Sequence, residues 1–526
     1  MKVLVSLLVV CFGWIHPVQA AIPAAERNVL IALYVNTHGE NWTSNANWCQ
    51  GPCPATGALT FNVAGTECTW IGIECNASET HVNKLFFYEV NLAGSLPPLA
   101  NLTALHGASL SGNQLTGALP ALTGLTQLEY FAADRNQLTG VIPDLTDLGA
   151  LKHLYLASNQ LTGPIPNFNG STQLTRAQFH YNQLTGSIPP LTGLTLLQHF
   201  SVSGNYLTGA IPALTGLVAL EDFLVDGNQM SGDIPSVVGL IALRNFWVHN
   251  NLLSGKISSL AGLTELRSFI VHNNQLTGFL PVLTGSPQLE FFAASNNRLS
   301  GPLPDLSGLL QLDTFVADNN ALTGSVPAFG ELPSLLVFAA DHNQLSGSIP
   351  ALSGLPELYY FSIYSNQLTG VIPSLAGLTD LWAFSCSDNR LTGALPSLAG
   401  LTTLVGLYAN SNQLTGAIPD LGDLQQISLF FVHDNKMGGA VPAAPPSLVQ
   451  TGARLCPNSL DISPSVHDAG WNYATGNSPW WGPEGGGCHD PLFSDAFESS
   501  PEALAKAALA TALDTLIRRR TQQRTH

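Results

Sequence analysis

Apolar residues recur along this chain every 23 residues, together with a polar phrase that reads N-Q-L-T-G in its most common form. Phe131 and Ala133 alternate with residues expected to be exposed, and this period of two predicts a short strand. Gly140 follows where a turn favours a positive φ, and Pro143 cannot continue a central strand or a helix. Each repeat is therefore predicted to contain a strand, a turn, a second extended piece and a return loop. In the copy around Asn136 the inward set is Leu128, Phe131, Ala133, Leu138, Ile142, Leu145 and Leu148.

A fixed period of this length is typical of a solenoid, in which each repeat buries its apolar face only against its neighbours. The recurring asparagine follows the strand, where buried backbone N–H and C=O groups need partners. Asparagine offers both donors and an acceptor, so we interpret these residues as a structural ladder, not a ligand site. A further copy at Val90–Gly94 keeps the spacing without the asparagine. The ladder comprises Asn113, Asn136, Asn159, Asn182, Asn205, Asn228, Asn251, Asn274, Asn297, Asn320, Asn343, Asn366, Asn389, Asn412 and Asn435.

The amino-acid composition disfavours some classes of binding partner. The chain has 526 residues, 18 Lys and Arg against 35 Asp and Glu, and a formal net charge of −17. This acidic balance argues against nucleic acid, which needs a basic footprint, and against anionic membrane surfaces. The many glycine and proline residues are periodic, so they indicate turns and not disorder.

The first twenty residues are typical of a signal peptide. Lys2 is followed by an apolar stretch, Val3 to Trp14, and by the small-residue cleavage pattern Val18-Gln19-Ala20. An uncleaved membrane anchor is the alternative, and the short apolar run disfavours it. No later segment is apolar enough to predict a membrane span. We therefore expect the mature protein to be exported, in a secreted or cell-surface location.

Residues 21–81 and 446–490 flank the predicted repeat array, 82–445, and are interpreted as caps that cover its two ends. Tryptophans and cysteines are concentrated in both caps, which suits an oxidising compartment. Cys49 with Cys53, Cys68 with Cys75, and Cys456 with Cys488 are the expected disulfide pairs, although sequence alone leaves the connectivity open. Zinc binding by the first four is the alternative, disfavoured by the export signal. Cys386 takes an inward strand position and is predicted to be a buried thiol.

Residues 491–526 form a tail. Ser500-Pro501-Glu502 is a favourable helix start, and residues 502–518 place Leu509, Leu513 and Leu516 on one side of a possible helix. Arg518, Arg519 and Arg520 follow at its end. A basic amphipathic helix can indicate membrane contact, but the segment is short and Ala-rich. We interpret it as a short solvated helix or as disordered.

The repeat unit L-x-x-F-x-x-x-x-N-Q-L-T-G-x-I-P resembles the plant-type leucine-rich repeat, and Cys68–Cys75, C-T-W-I-G-I-E-C, resembles that family's N-terminal cap. The resemblance implies an α/β-type, mostly β, right-handed leucine-rich repeat solenoid of about 16 repeats, with a concave parallel β-sheet and disulfide-stapled caps. It also implies ligand binding on the concave face or its edge. The repeat here is one residue shorter than the usual plant unit, so curvature and twist are expected to differ.

Positions that break the repeat carry the functional information. The residues two and four before each asparagine should face outward from the concave sheet. Leu224, Trp247 and Ile270 then form a run of exposed apolar side chains, typical of a contact site. His249 and His272 with Asp226 suggest a metal site, but a closed ligand set is missing, and no metal or other cofactor is predicted. The concave-face candidates are Tyr155, His180, Leu224, Asp226, Trp247, His249, Ile270, His272, Asp318, Asp341, Tyr364 and Tyr408.

No nucleophile–base pair, phosphate loop or kinase signature occurs at the required spacing, so no enzyme activity is predicted. The sequence favours an extracellular binding protein whose partner is a protein, peptide or polysaccharide on the concave face. A structural or adhesive surface component is the main alternative. A remote alternative is ice binding through a ladder of hydroxyl side chains three residues after each asparagine, represented by Thr116, Thr139, Thr162, Thr185, Thr208, Ser231, Ser254, Thr277 and Thr415.

Overall fold

The structure is a computed structural model that describes residues 21–53, 59–481 and 488. The predicted signal peptide and the predicted tail helix lie outside these residues. The chain divides into two compact units, residues 1–185 and residues 186–526, and each is treated by itself below.

The first unit begins with helix α1 (Ala24–Asn36), which buries Val29, Leu30, Leu33 and Tyr34 as their helical spacing predicts. Two short 3₁₀ turns follow, at Gly39–Asn41 and Glu67–Thr69. Tyr34 packs among tryptophans that include Trp42 and Trp48, with ring centroids 5.2 and 5.4 Å away. Aromatic rings therefore form the apolar core of this end.

The main sheet of the first unit starts with an antiparallel pair, β1 (Ile73–Cys75) and β2 (Val82–Phe86), and continues as a parallel ladder. Successive strands pair exactly one repeat apart in register, for example Leu154 with Phe131. The remaining main strands are β4 (Gly107–Ser109), β6 (Tyr130–Ala132), β8 (His153–Tyr155) and β10 (Arg176–Gln178). The second extended pieces are β3 (Ala93–Ser95), β5 (Gln114–Thr116), β7 (Thr139–Val141), β9 (Gln160–Gly163) and β11 (Gln183–Leu184).

The second unit repeats the plan with a parallel main sheet. Its main strands are β12 (His199–Ser201), β14 (Asp222–Leu224), β16 (Asn245–Trp247), β18 (Ser268–Ile270), β20 (Phe291–Ala293), β22 (Thr314–Val316), β24 (Val337–Ala339), β25 (Tyr360–Ser362), β26 (Ala383–Ser385), β27 (Gly406–Tyr408), β28 (Leu429–Phe431) and β30 (Ala453–Arg454). Its flank strands are β13 (Thr208–Gly209), β15 (Gln229–Asp233), β17 (Leu252–Ser254), β19 (Thr277–Phe279), β21 (Arg298–Gly301), β23 (Ala321–Leu322), β29 (Gly438–Gly439) and β31 (Ser459–Leu460), and helix α2 (Asp468–Thr475) packs against β30. The predicted solenoid with a parallel sheet is confirmed.

The core lies between the main sheet and the flank strands. In the second unit the inward phenylalanines stack from strand to strand, with Phe292 lying 5.9 Å from Phe269 and 5.3 Å from Phe315 between ring centroids. In the first unit the equivalent positions include smaller or aliphatic residues such as Leu154 and Ala177, also fully buried. In both units these inward side chains are buried in the core of the repeat.

The ladder asparagines bind the backbone of two repeats at once. The Nδ2 atom of Asn251 donates to Val225 O at 3.1 Å and to Val248 O at 3.1 Å, while its Oδ1 accepts from Met230 N at 2.9 Å. Asn458 makes the same pattern of bonds, although the sequence interpretation ends the array at residue 445. The unbroken period identifies this residue, since it stands one full repeat after Asn435.

Disulfides lie near both ends of the repeat array. They join Cys49 to Cys53, Cys68 to Cys75 and Cys456 to Cys488. Cys386 is fully buried at its inward strand position. Neither helix of the described ranges has the length and apolar character that crossing a bilayer requires.

Candidate functional site

Three positions of each main strand point away from the core, at six, four and two residues before the ladder asparagine. Strand alternation explains this: in β16 Phe246 points inward, while Asn245 and Trp247 point outward. We call the surface formed by these positions the outer face of the main sheet. It is the face that the family resemblance predicts to be concave.

In the second unit the outer face carries a continuous group of apolar side chains that we call the apolar strip. Its members are Trp247, Ile270, Phe291, Ala293, Val316, Val337, Ala339, Tyr360 and Ala383, with Leu224 and Trp382 packed at its margins. The prediction that Trp247 and Ile270 are exposed is wrong. They keep only 7% and 1% of their surface exposed, because they pack within a buried cluster.

The polar groups of the strip are held by local contacts. The indole Nε1 of Trp247 donates to the Ser268 hydroxyl at 2.9 Å, so the ring is fixed against the neighbouring strand. Burial raises the pKa of Tyr360 well above its ordinary value, and the nearby Asp341 carboxylate raises it further. The phenol therefore stays neutral within the strip, where Ser362 is its side-chain hydrogen-bond partner.

One side of the strip is bordered by acidic and histidine side chains, two residues before the asparagines. Nε2 of His249 lies 3.7 Å from Oδ2 of Asp226, and its ring centroid lies 4.5 Å from that of His272. Asp318 accepts from Asn319 Nδ2 at 2.7 Å and from the Ser295 hydroxyl. Among the described residues, no group of three or more His, Cys, Asp and Glu is arranged to hold a metal ion.

The other side of the strip is bordered by residues seven before the asparagines. Arg244 pairs with Glu221 at 2.5 Å, and Arg267 with Glu290 at 3.5 Å. Further along, aromatic rings replace the charges, and Tyr359 stacks on Trp382 at 5.6 Å between centroids. The border thus changes from charged to aromatic along the sheet.

The outer face of the first unit has a different character. Phe86 and Tyr88 keep 50% and 51% of their surface exposed. Arg135 lies over the Tyr88 ring at 5.5 Å and donates from Nη2 to its hydroxyl at 2.9 Å. Tyr155 lies 5.7 Å from Tyr130 between ring centroids, and burial raises the pKa of both phenols. This face offers accessible aromatic rings among charges.

The predicted site residues are thus divided between the units. Tyr155 and His180 belong to the first, while the other ten belong to the second. Tyr364 meets His342 edge-on at 4.7 Å at the border of the strip, and Tyr408 stacks on Phe431 at 5.7 Å in a separate cluster. The sequence interpretation missed the column six before the asparagines, which supplies Phe291, Val337, Tyr360 and Ala383. Strand alternation would have placed that column on the same face.

The hydroxyl ladder lies on the flank. Thr139 and Thr277, for example, begin β7 and β19 and are exposed. No observation on the flank tests ice binding, which stays a remote alternative.

The fold is that of a leucine-rich repeat solenoid, and residues 150–171 match the Leucine Rich Repeat family model. Among solved structures, the chain is similar to the plant peptide hormone receptor RGFR1 in complex with RGF2. Identity is 26% and the TM-score 0.53, over 75% of this chain and 80% of the receptor chain. The structure of PEPR1 with AtPEP1 is similar at 22% identity and a TM-score of 0.52, over 86% and 81% of the two chains. No curated protein sequence matches.

The RGFR1 similarity supports a ligand-binding leucine-rich repeat protein, and the PEPR1 similarity shows the fold. Similarity to a receptor structure together with three disulfides is consistent with an extracytoplasmic location.

Proposed function

We propose that this protein is an exported, non-catalytic binding protein that holds a peptide or an extended protein segment on the outer face of its second unit. The observation that carries the proposal is the apolar strip bordered by the His249 and Asp318 column. The solved structure of RGFR1 is a complex with RGF2, which supports a peptide ligand.

The chemistry of the strip favours a peptide over a polysaccharide. Six of the nine members of the strip are aliphatic, and its rings, such as Trp247 and Tyr360, are buried and present no open flat face on which a sugar stacks. Burying apolar ligand side chains there contributes about 25 cal/mol per Å² removed from water, less the cost of association. Carboxylates at Asp226, Asp318 and Asp341 favour a ligand with basic residues beside its apolar ones.

The test uses the full secreted chain, fluorescently labelled, on one array of synthetic peptides and one of glycans. The double variant Asp318→Asn and Asp341→Asn keeps side-chain shape and removes two charges. We expect the double variant to weaken the binding of peptides that contain Lys or Arg by about tenfold or more. A second variant, Trp247→Ser, should reduce capture of apolar peptides.

The matched control is Val282→Ser in a return loop, where the side chain is 71% exposed. It should leave the array pattern unchanged. The thermal midpoint of each variant is measured alongside, because Trp247 is buried and its loss also affects stability. Equal peptide capture by wild type and both outer-face variants would overturn the proposal. Capture of glycans without peptides would overturn the choice of ligand.

A further inference from the structure

The outer face of the first unit keeps two aromatic rings accessible at its β2 end. Phe86 is the last residue of β2, Tyr88 follows two residues later, and both side chains are half-exposed. The Lys84 ammonium lies 5.7 Å from the centre of the Phe86 ring. The Arg135 guanidinium lies 5.5 Å from the centre of the Tyr88 ring. Each cation covers one face of its ring, so the exposed half of each side chain includes the opposite face.

Beside these rings the sheet forms a shallow trough. Phe86, Ser109, Ala132 and Tyr155 stand in register on β2, β4, β6 and β8. The two small residues separate the strands that carry the rings by about 14 Å, at about 4.8 Å per strand. Tyr155 packs against Tyr130, whose phenol is hydrogen-bonded to Ser109. The trough therefore has Phe86 as one wall, two tyrosines as the other, and hydroxyl groups along its floor.

The charged side chains on this face and at its borders balance one another. Four are basic and four are acidic: Lys84, Arg135, Lys152, Arg176, Glu74, Glu89, Glu129 and Asp134. Lys84 Nζ lies 2.9 Å from Glu74 Oε1, and Arg135 Nη1 lies 3.3 Å from Glu89 Oε1. Lys152 Nζ lies 2.8 Å from Glu129 Oε2. A charged ligand would have to compete with these pairs, whereas a neutral ligand leaves them in place.

A sugar residue is a neutral ligand with a matching surface. One face of a pyranose ring presents C–H groups, which pack on the electron-rich face of an aromatic ring. Its hydroxyl groups both donate and accept hydrogen bonds, as do the hydroxyls of Ser109 and Tyr130. The basic peptide that suits the apolar strip fits this face less well, because the carboxylates of Glu74 and Glu89 already pair with cations.

We propose that this trough is a second binding site, which holds a neutral sugar residue of a glycan. The sugar ring stacks on Phe86 and Tyr88, and its hydroxyl groups bond to Ser109 and Tyr130. No residue of the apolar strip takes part, so glycan binding here and peptide binding there can fail separately.

The test is isothermal titration calorimetry of the full secreted chain. The probes are neutral oligosaccharides of glucose, mannose, galactose and xylose, with oligogalacturonate as the acidic comparison. We expect at least one neutral oligosaccharide to bind. Phe86→Ala and Tyr88→Ala each remove an accessible ring and should weaken that binding by about tenfold or more.

Two further variants of the trough separate its ring faces from its floor. Tyr88→Phe keeps the ring and should change the affinity by less than about threefold. Ser109→Leu fills the trough with a larger side chain and should abolish binding.

Matched controls lie outside the trough. Tyr206→Ala removes a ring that is 54% exposed just before β13 of the second unit, and it should leave the affinity unchanged. Trp247→Ser alters the apolar strip and should also leave the affinity unchanged. The thermal midpoint of each variant is measured alongside. The midpoints of Phe86→Ala and Tyr88→Ala should stay close to that of the wild type, because both side chains are half-exposed.

Four results would overturn the proposal. The first is that none of the neutral oligosaccharides binds. The second is equal binding by the wild type and by a variant that combines Phe86→Ala with Tyr88→Ala. The third is loss of binding in Trp247→Ser with binding retained in Phe86→Ala, which would place the sugar on the apolar strip. The fourth is binding of oligogalacturonate alone, weakened by added salt, which would show that charge selects the ligand.

Discussion

The outer faces of the two units share one backbone plan but differ in the exposure and polarity of their side chains. In the first unit, Phe86 and Tyr88 are half-exposed and lie beside Lys84 and Arg135. In the second unit, the same face carries the buried apolar strip. The asparagine ladder hardly changes between them. A repeat scaffold therefore separates stability from recognition, because different columns of the same strand carry the two roles.

The largest expected effect concerns the inward column, where the units differ in side-chain type. Phe292→Ala removes a ring from the phenylalanine stack of the second unit and should lower the free energy of unfolding by about 4 kcal/mol. Leu154→Ala, the equivalent change in the first unit, should cost about 3 kcal/mol. Guanidinium denaturation of both variants measures the difference. A larger loss at Leu154 would contradict the expectation that a ring of the phenylalanine stack contributes more to the free energy of unfolding than an aliphatic side chain of the first unit.

The asparagine ladder should behave alike in both units. Asn159→Ala and Asn251→Ala each remove one accepted and several donated hydrogen bonds and leave buried backbone groups without partners. Each should cost about 3 kcal/mol in the free energy of unfolding. The exposed neighbour Gln160→Ala should cost about 0.5 kcal/mol or less. If the losses of stability at the two asparagines differ by more than about 1 kcal/mol, the ladder does not stabilise the two units equally.

Low pH should lower the stability of the second unit through His433. Burial, reinforced by the positive charge of Arg454, lowers the pKa of His433 from 6.5 to about 3. Well above pH 6.5 both folded and unfolded states hold it neutral. As the pH falls below that value, the imidazole is protonated in the unfolded state but stays neutral in the folded state down to about pH 3. The free energy of unfolding therefore declines as the pH falls.

Between about pH 7 and about pH 5 this group alone should remove about 2 kcal/mol from the free energy of unfolding. His433→Gln should lose less stability over that interval than the wild type does. The exposed His38→Gln serves as the matched control and should retain the full acid-dependent decline. Identical pH profiles for wild type and His433→Gln would disprove the assignment.

The smallest effect is expected on the exposed face of the first unit. Arg135→Ala removes the guanidinium above the Tyr88 ring and should change the free energy of unfolding by about 1 kcal/mol or less, since the pair is half-exposed. Thermal unfolding monitored by circular dichroism measures it. A loss above about 2 kcal/mol, beyond what surface substitutions usually cost, would mean that this face is structural and would weaken the contrast between the units.

The sequence was sufficient to predict the scaffold, because the periodicity of the strands specifies which side chains point toward the core and which point away from it. The repeat period and the alternation around Phe131 predicted the parallel strands, and the asparagine spacing marked each repeat. Direction does not specify accessibility, so Trp247 was placed on the correct face and wrongly expected to be exposed. Its burial depends on the neighbouring strands, one of which supplies the Ser268 hydroxyl that accepts from the indole Nε1, a full repeat away in the chain. Asn458 was missed because Pro446 interrupts the consensus while the backbone pattern continues.

Each ladder asparagine closes the backbone of the repeat before it. Asn251 supplies partners to Val225 and Met230, which belong to the preceding repeat. If a whole unit is removed or copied, the next asparagine arrives in the same place and every bond is remade. If one residue is gained or lost, the bonds across that boundary fail. The array can therefore lengthen or shorten in steps of one complete repeat, which makes duplication and deletion of whole units the permitted route by which its reach evolves.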